Sequence, residues 1–274
     1  MAYEDYAGRT ETRADHVSPW LLRGMAATLG TAVPDVLPPL WHWMLFQDWV
    51  PAAGLGPDGH PKRGGFLPPV HDLPRRMWAG GRVRFLAPLR VDTPVERVST
   101  ILAVSEKSGG SGRLVFVTVR HSVVSPDGVA IEEEQDIVYR GAEGAAVKPA
   151  PAAPPAPPGT THREVVPDPV LLFRYSALTG NGHRIHYDMD YVRHEEGYPG
   201  LVVHGPLQAT WLAMLLAPRP VAQFSFRGRR PTFHDVPLRL EAWTDGPGFR
   251  LRTLDPSGAV CMEAEATLAG DAPA

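Results

Sequence analysis

Six prolines fall between Pro149 and Pro158, in the run Lys148-Pro-Ala-Pro-Ala-Ala-Pro-Pro-Ala-Pro-Pro158. Proline has no N–H to donate and a fixed φ, so such a run supports neither a helix interior nor a central strand. It also lacks the apolar side chains that would pack it. The expected form is an extended polyproline II linker, residues 148–158, standing away from the fold. The 274-residue chain is thereby divided into residues 1–147 and 159–274, each the size of a small domain.

The two parts resemble each other. In the first, Phe85-Leu-Ala-Pro-Leu-Arg-Val-Asp-Thr-Pro94 leads into the apolar alternation of residues 98–104. In the second, Phe226-Arg-Gly-Arg-Arg-Pro-Thr-Phe-His-Asp-Val-Pro237 leads into residues 238–243, and Pro88 and Pro94 match Pro231 and Pro237 at one offset. Strand-like stretches follow at 113–119 and 249–254. The turns Ser125-Pro-Asp-Gly128 and Asp255-Pro-Ser-Gly258 then lead into the last strands, 129–139 and 259–268. Each half therefore ends in an antiparallel meander of three or four strands. One helical candidate precedes each meander: residues 38–48, rich in Trp and Leu, and residues 205–216, with Leu207, Leu212, Leu215 and Leu216 near helical spacing. A helix followed by a long antiparallel sheet, twice over, predicts an α+β fold. A sheet wrapped around one helix would bury that helix nearly all round.

Composition narrows the function. Apolar residues make up 43% and charged residues 21%, enough for a packed core. The net charge of −3 comes without a basic stripe, which argues against a nucleic-acid partner. No apolar run is long enough to span a membrane. Cys261 is the single cysteine, so neither an internal disulfide nor a cysteine-built metal site can form. The opening residues, with Glu4 and Asp5, lack the basic-then-apolar pattern of a secretory leader, and the expected compartment is the cytoplasm.

Chemistry concentrates between Phe173 and Asp188. Gly180 and Gly182 break regular structure, so a turn-rich loop is expected there. It holds Asn181, His183, His186 and Asp188 within eight residues. Further on, Gly200-Leu-Val-Val-His-Gly-Pro206 opens the second helical candidate. Pro206 suits a first helical position, and Gly205 would leave a bare N–H at the positive end of the helix dipole.

The pattern Tyr175-x-x-Leu178-Thr179-Gly180-Asn181-x-His183-x-x-His186 resembles the signature of MaoC-like hydratases, and Val203-His-Gly205 matches their entry to the central helix. Two fused halves with the motif in the second are similar to the hydroxyacyl-thioester dehydratase type 2 group. The resemblance covers roughly residues 35–268 and implies a double hot-dog fold. Pro38-Pro-Leu-Trp-His-Trp-Met44, Gly56-Pro-Asp-Gly-His-Pro61 and Arg63-Gly-Gly-Phe-Leu-Pro-Pro69 look like hydratases of mesaconyl-C4-CoA (3-methylfumaryl-CoA) and itaconyl-CoA. One departure from the broad MaoC-like family stands out: its Asp is Asn181 here, and its Asn-Pro is His183-Arg184, while the resemblance to the type 2 subgroup implies Asn at this place. Asparagine takes no proton at physiological pH, so an Asp/His acid–base pair does not carry over whole.

The resemblance implies a hydro-lyase that adds water to an enoyl thioester or removes it from a 3-hydroxyacyl thioester. His186 would be the general base, Asn181 would orient water or imidazole, and the Gly205 N–H would stabilise the enolate oxygen. Plainer readings stand beside these: His186 satisfied by Asp188 or a carbonyl, Asn181 as a turn residue, His204 as packing. His183 is either a substrate contact or a loop stabiliser. Arg184 suits a substrate carboxylate, Tyr175 and Gly180 the pocket wall, Trp41, Trp43 and Phe66 an acyl tunnel. Arg227, Arg229 and Arg230 suit CoA phosphates, or form a solvated strand face. The first half carries no matching Asn and His, so it is expected to shape the acyl and CoA pocket. No metal or cofactor is implied beyond the CoA or phosphopantetheine of the substrate. The partner is an acyl-CoA or acyl-carrier-protein thioester, and both a monomer and a homodimer of fused pairs are open. Two other readings remain: a 3-hydroxyacyl-thioester dehydratase of fatty-acid or polyketide assembly, and a non-catalytic acyl-CoA-binding module.

Overall fold

The computed structural model describes residues 3–109, 112–141 and 149–270. The first half contributes β1 (Thr10–His16), α1 (Pro19–Leu29), β2 (Arg75–Phe85), β3 (Pro94–Gly109), β4 (Gly112–Ser125) and β5 (Gly128–Arg140). The second contributes β6 (Thr161–Val165), α2 (Pro169–Leu178), α3 (Met189–His194), α4 (Gly205–Met214), β7 (Val221–Gly228), β8 (Leu238–Asp245), β9 (Gly248–Leu254) and β10 (Val260–Leu268). All of these strands form one antiparallel sheet in the order β1-β3-β4-β5-β2-β7-β10-β9-β8-β6. The order in the second half mirrors that in the first, and the seam is the β2–β7 pairing from Gly80↔Arg227 to Arg84↔Gln223.

The repeat runs deeper than the matched prolines. Each half opens on a short strand followed by a helix with the same start. Ser18 accepts the Leu21 N–H at 3.5 Å ahead of Pro19, and Asp168 accepts the Leu171 N–H at 2.7 Å ahead of Pro169. A polar N-cap satisfies an orphan donor, and proline at the first position gives up an N–H the helix does not use. The two helices touch across the halves, where a Cβ on Gly24 would overlap Leu178.

The helical expectation for 205–216 is met by α4. It is buried on every side, at Leu207, Ala209, Thr210, Trp211 and Leu212 alike. Its one buried amide is satisfied: Gln208 Nε2 donates to Thr232 Oγ1 at 3.0 Å, and its Oε1 accepts from Thr253 Oγ1 at 2.9 Å. The expectation for 38–48 is corrected. That segment is buried, but it holds only a 3-10 turn at Trp41–Met44. Leu40 and Phe46 sit at φ 71° and 59°, left-handed backbone that halts a right-handed helix at both ends. The side chains are held by other means: Trp43 Nε1 donates to Glu133 Oε1 at 2.8 Å, and His42 Nε2 lies 3.1 Å from Glu133 Oε2.

Two more corrections concern loops. The proline run does not stand free. Within the described residues the Ala153 N–H donates to the Gly258 carbonyl at 2.8 Å, and Arg252 donates to the Pro154 carbonyl at 2.8 Å. Its backbone thus finds partners on the β9–β10 turn; Lys148 lies outside the described residues. The stretch 173–188 is not loop throughout, because α2 continues to Leu178 under the Asp168-Pro169 start. No helix among the described residues is long and apolar enough to cross a membrane.

One loop of the first half reaches the second. Leu55 and Pro61 form a bridge that closes a tight loop. Its tip, Gly59 at φ +86°, presses backbone to backbone on Gly182. The Arg184 N–H donates to the Asp58 carbonyl at 2.9 Å, and Arg184 Nη1 donates to the Pro57 carbonyl at 3.0 Å. A Cβ on Gly59 would fall inside the Gly182 carbonyl oxygen, while one on Gly65 meets nothing within 4 Å. Gly59→Ala is therefore expected to cost more than about 1 kcal/mol and to lower the Tm in a thermal melt. Gly65→Ala should stay within about 0.5 kcal/mol of the parent; equal melts for the two variants would refute the close contact.

Candidate active site

The local chain between α2 and α3 is a sequence of caps and turns. Gly180 takes φ +60° after the end of α2. Asn181 Oδ1 accepts the His183 N–H at 3.0 Å, an Asx turn that fixes the next three residues. A 3-10 turn follows at Arg184–His186, and Asp188 caps α3 by accepting the Tyr191 N–H at 3.0 Å. His186 is thus aimed inward while Asp188 faces Arg184.

This loop forms one wall of a cleft of about 910 Å³ between the halves. Tyr175, Gly180, Asn181, His183, His186, His204, Gly205, Arg229 and Arg230 line it from the second half; Trp43, Asp58, His60, Arg76 and Trp78 line it from the first. His186 Nδ1–H donates to the Val202 carbonyl at 2.7 Å. That bond settles the tautomer and leaves Nε2 as the basic nitrogen. The ring stacks on His204 with centroids 3.6 Å apart. His204 is the residue that opens α4, so the stack sets His186 beside the helix end where the Gly205 N–H lies in the first turn without an intrahelical partner. A Cβ on Gly205 would meet only the Met262 methyl, at 3.8 Å, and Gly205 lines the cleft.

Burial controls the charge here. It depresses His186 to about 4, with the Val202 carbonyl opposing. It depresses His183 to about 2, reinforced by His60 and His186, and holds His204 well below its ordinary value. The His204 ring contacts Ser176 Oγ through Nε2 at 2.8 Å, and its Nδ1 is buried without a partner. At neutral pH the imidazoles of this wall are uncharged bases.

Several expected wall residues lie elsewhere. Arg184 is committed to Asp188, at 2.7 Å, and to the Pro57 carbonyl, so it holds the loop instead of facing the cleft. Trp41 is packed in the main core, and Phe66 packs on a second cluster formed by Tyr6, Val70, Ile101 and Tyr139. Arg227 points out from β7, opposite Gly80. Arg229 and Arg230 do reach the wall; Arg229 pairs with Glu263 at 2.5 Å, and Arg230 lies 4.0 Å from Asp255.

Sequence reasoning missed Asp58, His60 and Arg76. Asp58 accepts from both the backbone N–H and Nδ1–H of His60, at 3.1 and 3.0 Å. Burial acts to raise the Asp58 carboxyl, but these His60 contacts outweigh it and hold the group well below the usual carboxylate range. The His60 ring lies 4.2 Å from that of His183, which in turn meets His186 edge-on at 5.6 Å. Asp58-x-His60 is visible in the sequence, yet nothing local says that it faces His183. Asp58, His60 and His183 bring ligand-type atoms within 4.8 Å of one another. The Asp58–His60 hydrogen bond already occupies one such atom on each of two members, and the cluster is satisfied as a carboxylate–imidazole pair.

Comparison with known proteins bears on the family and the fold. The model of the family described as hydroxyacyl-thioester dehydratase type 2 matches residues 40–234. The chain is 48% identical over 275 residues to the mesaconyl-C(4)-CoA hydratase of Chloroflexus aurantiacus, covering 97% of each protein. Among solved structures, a MaoC-like dehydratase from Phytophthora capsici superposes with TM-score 0.71 at 15% identity, over 97% of this chain and 96% of the other. A Mycobacterium tuberculosis protein described as having a double hotdog fold superposes with TM-score 0.59 at 15% identity, over 97% and 98%. The mirrored sheet around α4 is that double hot-dog fold, and the chain belongs to the hydroxyacyl-thioester dehydratase type 2 family.

Proposed function

We propose that this protein is a hydro-lyase that hydrates an enoyl-CoA thioester, or dehydrates the 3-hydroxyacyl product, and that its substrate is a short branched dicarboxylyl-CoA of the mesaconyl-C4-CoA type. One observation carries the reaction class: His186 spends Nδ1–H on the Val202 carbonyl and turns a neutral Nε2 into the cleft that the Gly205 N–H also lines. The 48% identity over nearly the whole chain to a mesaconyl-C(4)-CoA hydratase supports the substrate.

Hydration needs three things: a base for water, a proton for the α-carbon, and a donor for the thioester oxygen as enolate charge develops. His186 Nε2 takes a proton from water as the oxygen bonds to the β-carbon. The alkene π pair becomes the enolate C=C and the carbonyl π pair moves onto the thioester oxygen, to which the Gly205 N–H donates a hydrogen bond. The His186 imidazolium then returns its proton to the α-carbon. Water's second hydrogen stays on the new hydroxyl, so nothing is gained or lost beyond water itself, and we propose no resident cofactor. Asn181 keeps the wall in shape through its turn and offers its amide N–H groups to the substrate.

A dicarboxylyl thioester carries a second carboxylate beside the reacting carbons. With Arg184 occupied, Arg76 is the cation placed to hold it. Arg76 is half-buried on the cleft wall, and its charge acts on both His60 and His183. A guanidinium there offers a carboxylate two parallel N–H donors. Arg229 and Arg230 are the candidates for phosphates of CoA.

The assay is enoyl-thioester absorbance with mesaconyl-, itaconyl- and crotonyl-CoA. Absence of turnover of every enoyl and 3-hydroxyacyl thioester would leave a binding module, and preference for long neutral chains would overturn the substrate. His186→Ala is expected to lower kcat by at least ~10²-fold with the fold intact; near-parental kcat removes His186 from the reaction. Because the His186 value lies at about 4, the base is neutral above it. The kcat/KM profile should therefore hold as pH falls through 6.5 and drop only near 4; an acid limb at 6.5 contradicts a buried base. Arg76→Ala should raise KM for mesaconyl-C4-CoA by on the order of 10- to 100-fold and change crotonyl-CoA kinetics little. An equal effect on both substrates would deny Arg76 the carboxylate.

A further inference from the structure

The carboxylate of the broad MaoC-like pattern is absent at Asn181, but a carboxylate–imidazole pair packs against the same loop. It comes from the first half, on the loop that Gly59 and Arg184 clamp to the catalytic wall. We propose that His60, oriented by Asp58, is a second catalytic residue of this cleft: its Nε2 and that of His186 accept the two hydrogens of the attacking water and aim a lone pair of the oxygen at the β-carbon. The inference rests on the hydratase reading above and adds a residue to it from the half that lacks the motif.

Three observations carry the assignment. His60 Nδ1–H is committed to Asp58 at 3.0 Å, so Nε2 is the lone-pair nitrogen, and among the described residues it has no protein partner. The His60 ring packs against His183 at 4.2 Å, His183 meets His186 at 5.6 Å with the rings perpendicular, and charge on His60 acts on His186, so the two imidazoles share one end of the cleft. The third is a comparison. His183 is nearer to His186, but no side-chain hydrogen bond among the described residues fixes its tautomer, and only His60 has an ionised carboxylate behind it. A carboxylate on Nδ1–H holds an imidazole in one tautomer and orientation and stabilises positive charge that develops on it. In the step, one water proton passes to His186 Nε2 while the other hydrogen, still bonded to oxygen, is held by His60 Nε2. The first returns to the α-carbon, and the second remains in the product hydroxyl. Two neutral imidazoles thus do what a carboxylate and an imidazole would do, and Asn181 is released from proton chemistry to make its turn.

The test compares His60→Ala, His60→Gln, Asp58→Asn and His183→Ala in the full-length protein with mesaconyl-C4-CoA. Parental turnover is established first; its absence counts against the hydratase reading, not against His60. Given turnover, His60→Ala should lower kcat by on the order of 10²-fold with KM within about threefold. His60→Gln keeps an acceptor and should recover part of that loss. Asp58→Asn should lower kcat at least ~10-fold through the wrong tautomer. If His60→Ala does not fold, the same kcat criterion is applied to His60→Gln and Asp58→Asn. A kcat within threefold of parental, a loss confined to KM, or a kcat loss confined to His183→Ala overturns the assignment. So does activity that is lost on chelation and restored by a divalent metal, which would make the cluster a ligand set.

Discussion

Backbone pressed on backbone at Gly59 and Gly182 is the contact on which the cleft depends. Neither position has room for a side chain, because each carbonyl oxygen lies where the other residue's Cβ would be. Through this contact the Leu55–Pro61 loop lies on the Asn181–His186 turn, and Arg184 locks it with its own N–H and its guanidinium. Spread the two backbones by the width of a methyl group and Asp58, His60 and His183 part company. The cleft wall of the second half is thus completed by a loop of the first. The continuous β2–β7 seam, with small residues at Gly80 and Gly81, supplies the rigid frame for that meeting.

The cleft keeps its imidazoles uncharged at neutral pH. Burial pushes His183, His186 and His204 down; His60 adds to the depression of His183 and His186, His186 to that of His183 and His204, and His183 to that of His204. A neutral base is what water activation needs, and a low dielectric strengthens the pull of any donor on a developing enolate. The opposite tuning occurs at Asp58, which remains ionised despite burial because His60 donates to it twice. The parts differ in what they cost: the stack of His204 on His186 leaves a buried Nδ1 unpartnered, a penalty the core tolerates next to the site.

The two halves share one strand pattern and differ in the segment before the meander, a helix in the second and a 3-10 turn in the first. In the second half α4 packs on β7, β8, β9 and β10 and presents its first turn to the cleft. In the first, the equivalent segment turns at Leu40 and Phe46, and Glu133 holds His42 and Trp43 instead. Burial alone would raise the Glu133 carboxyl, yet the hydrogen bonds and nearby imidazoles bring it to about 2, an ionised anchor inside the fold. Freed from a helix, Trp43 reaches the cleft wall and packs edge-on against Trp78 and Phe226, at 4.9 and 5.7 Å.

Period-two alternation in 98–104 and 113–119, with Pro and Gly turns at 125–128 and 255–258, sufficed to place the meanders, because strand pairing between neighbours is a local matter. The same holds for α4 and the Gly205 entry, marked by glycine, proline and an apolar run. Strands β1 and β6 escaped notice because they are polar edge strands, and α1 despite a legible Ser-Pro start and glycine stop. Short motifs likewise put His186, His183 and Asn181 together. They could not say that Arg184 would face Asp188, that Trp41 and Phe66 would turn to separate cores, or that Asp58 and His60 would cross to His183. Those choices depend on which surfaces meet when distant segments close on one another, and a pattern read over a few residues carries no information about a contact made by the far half of the chain.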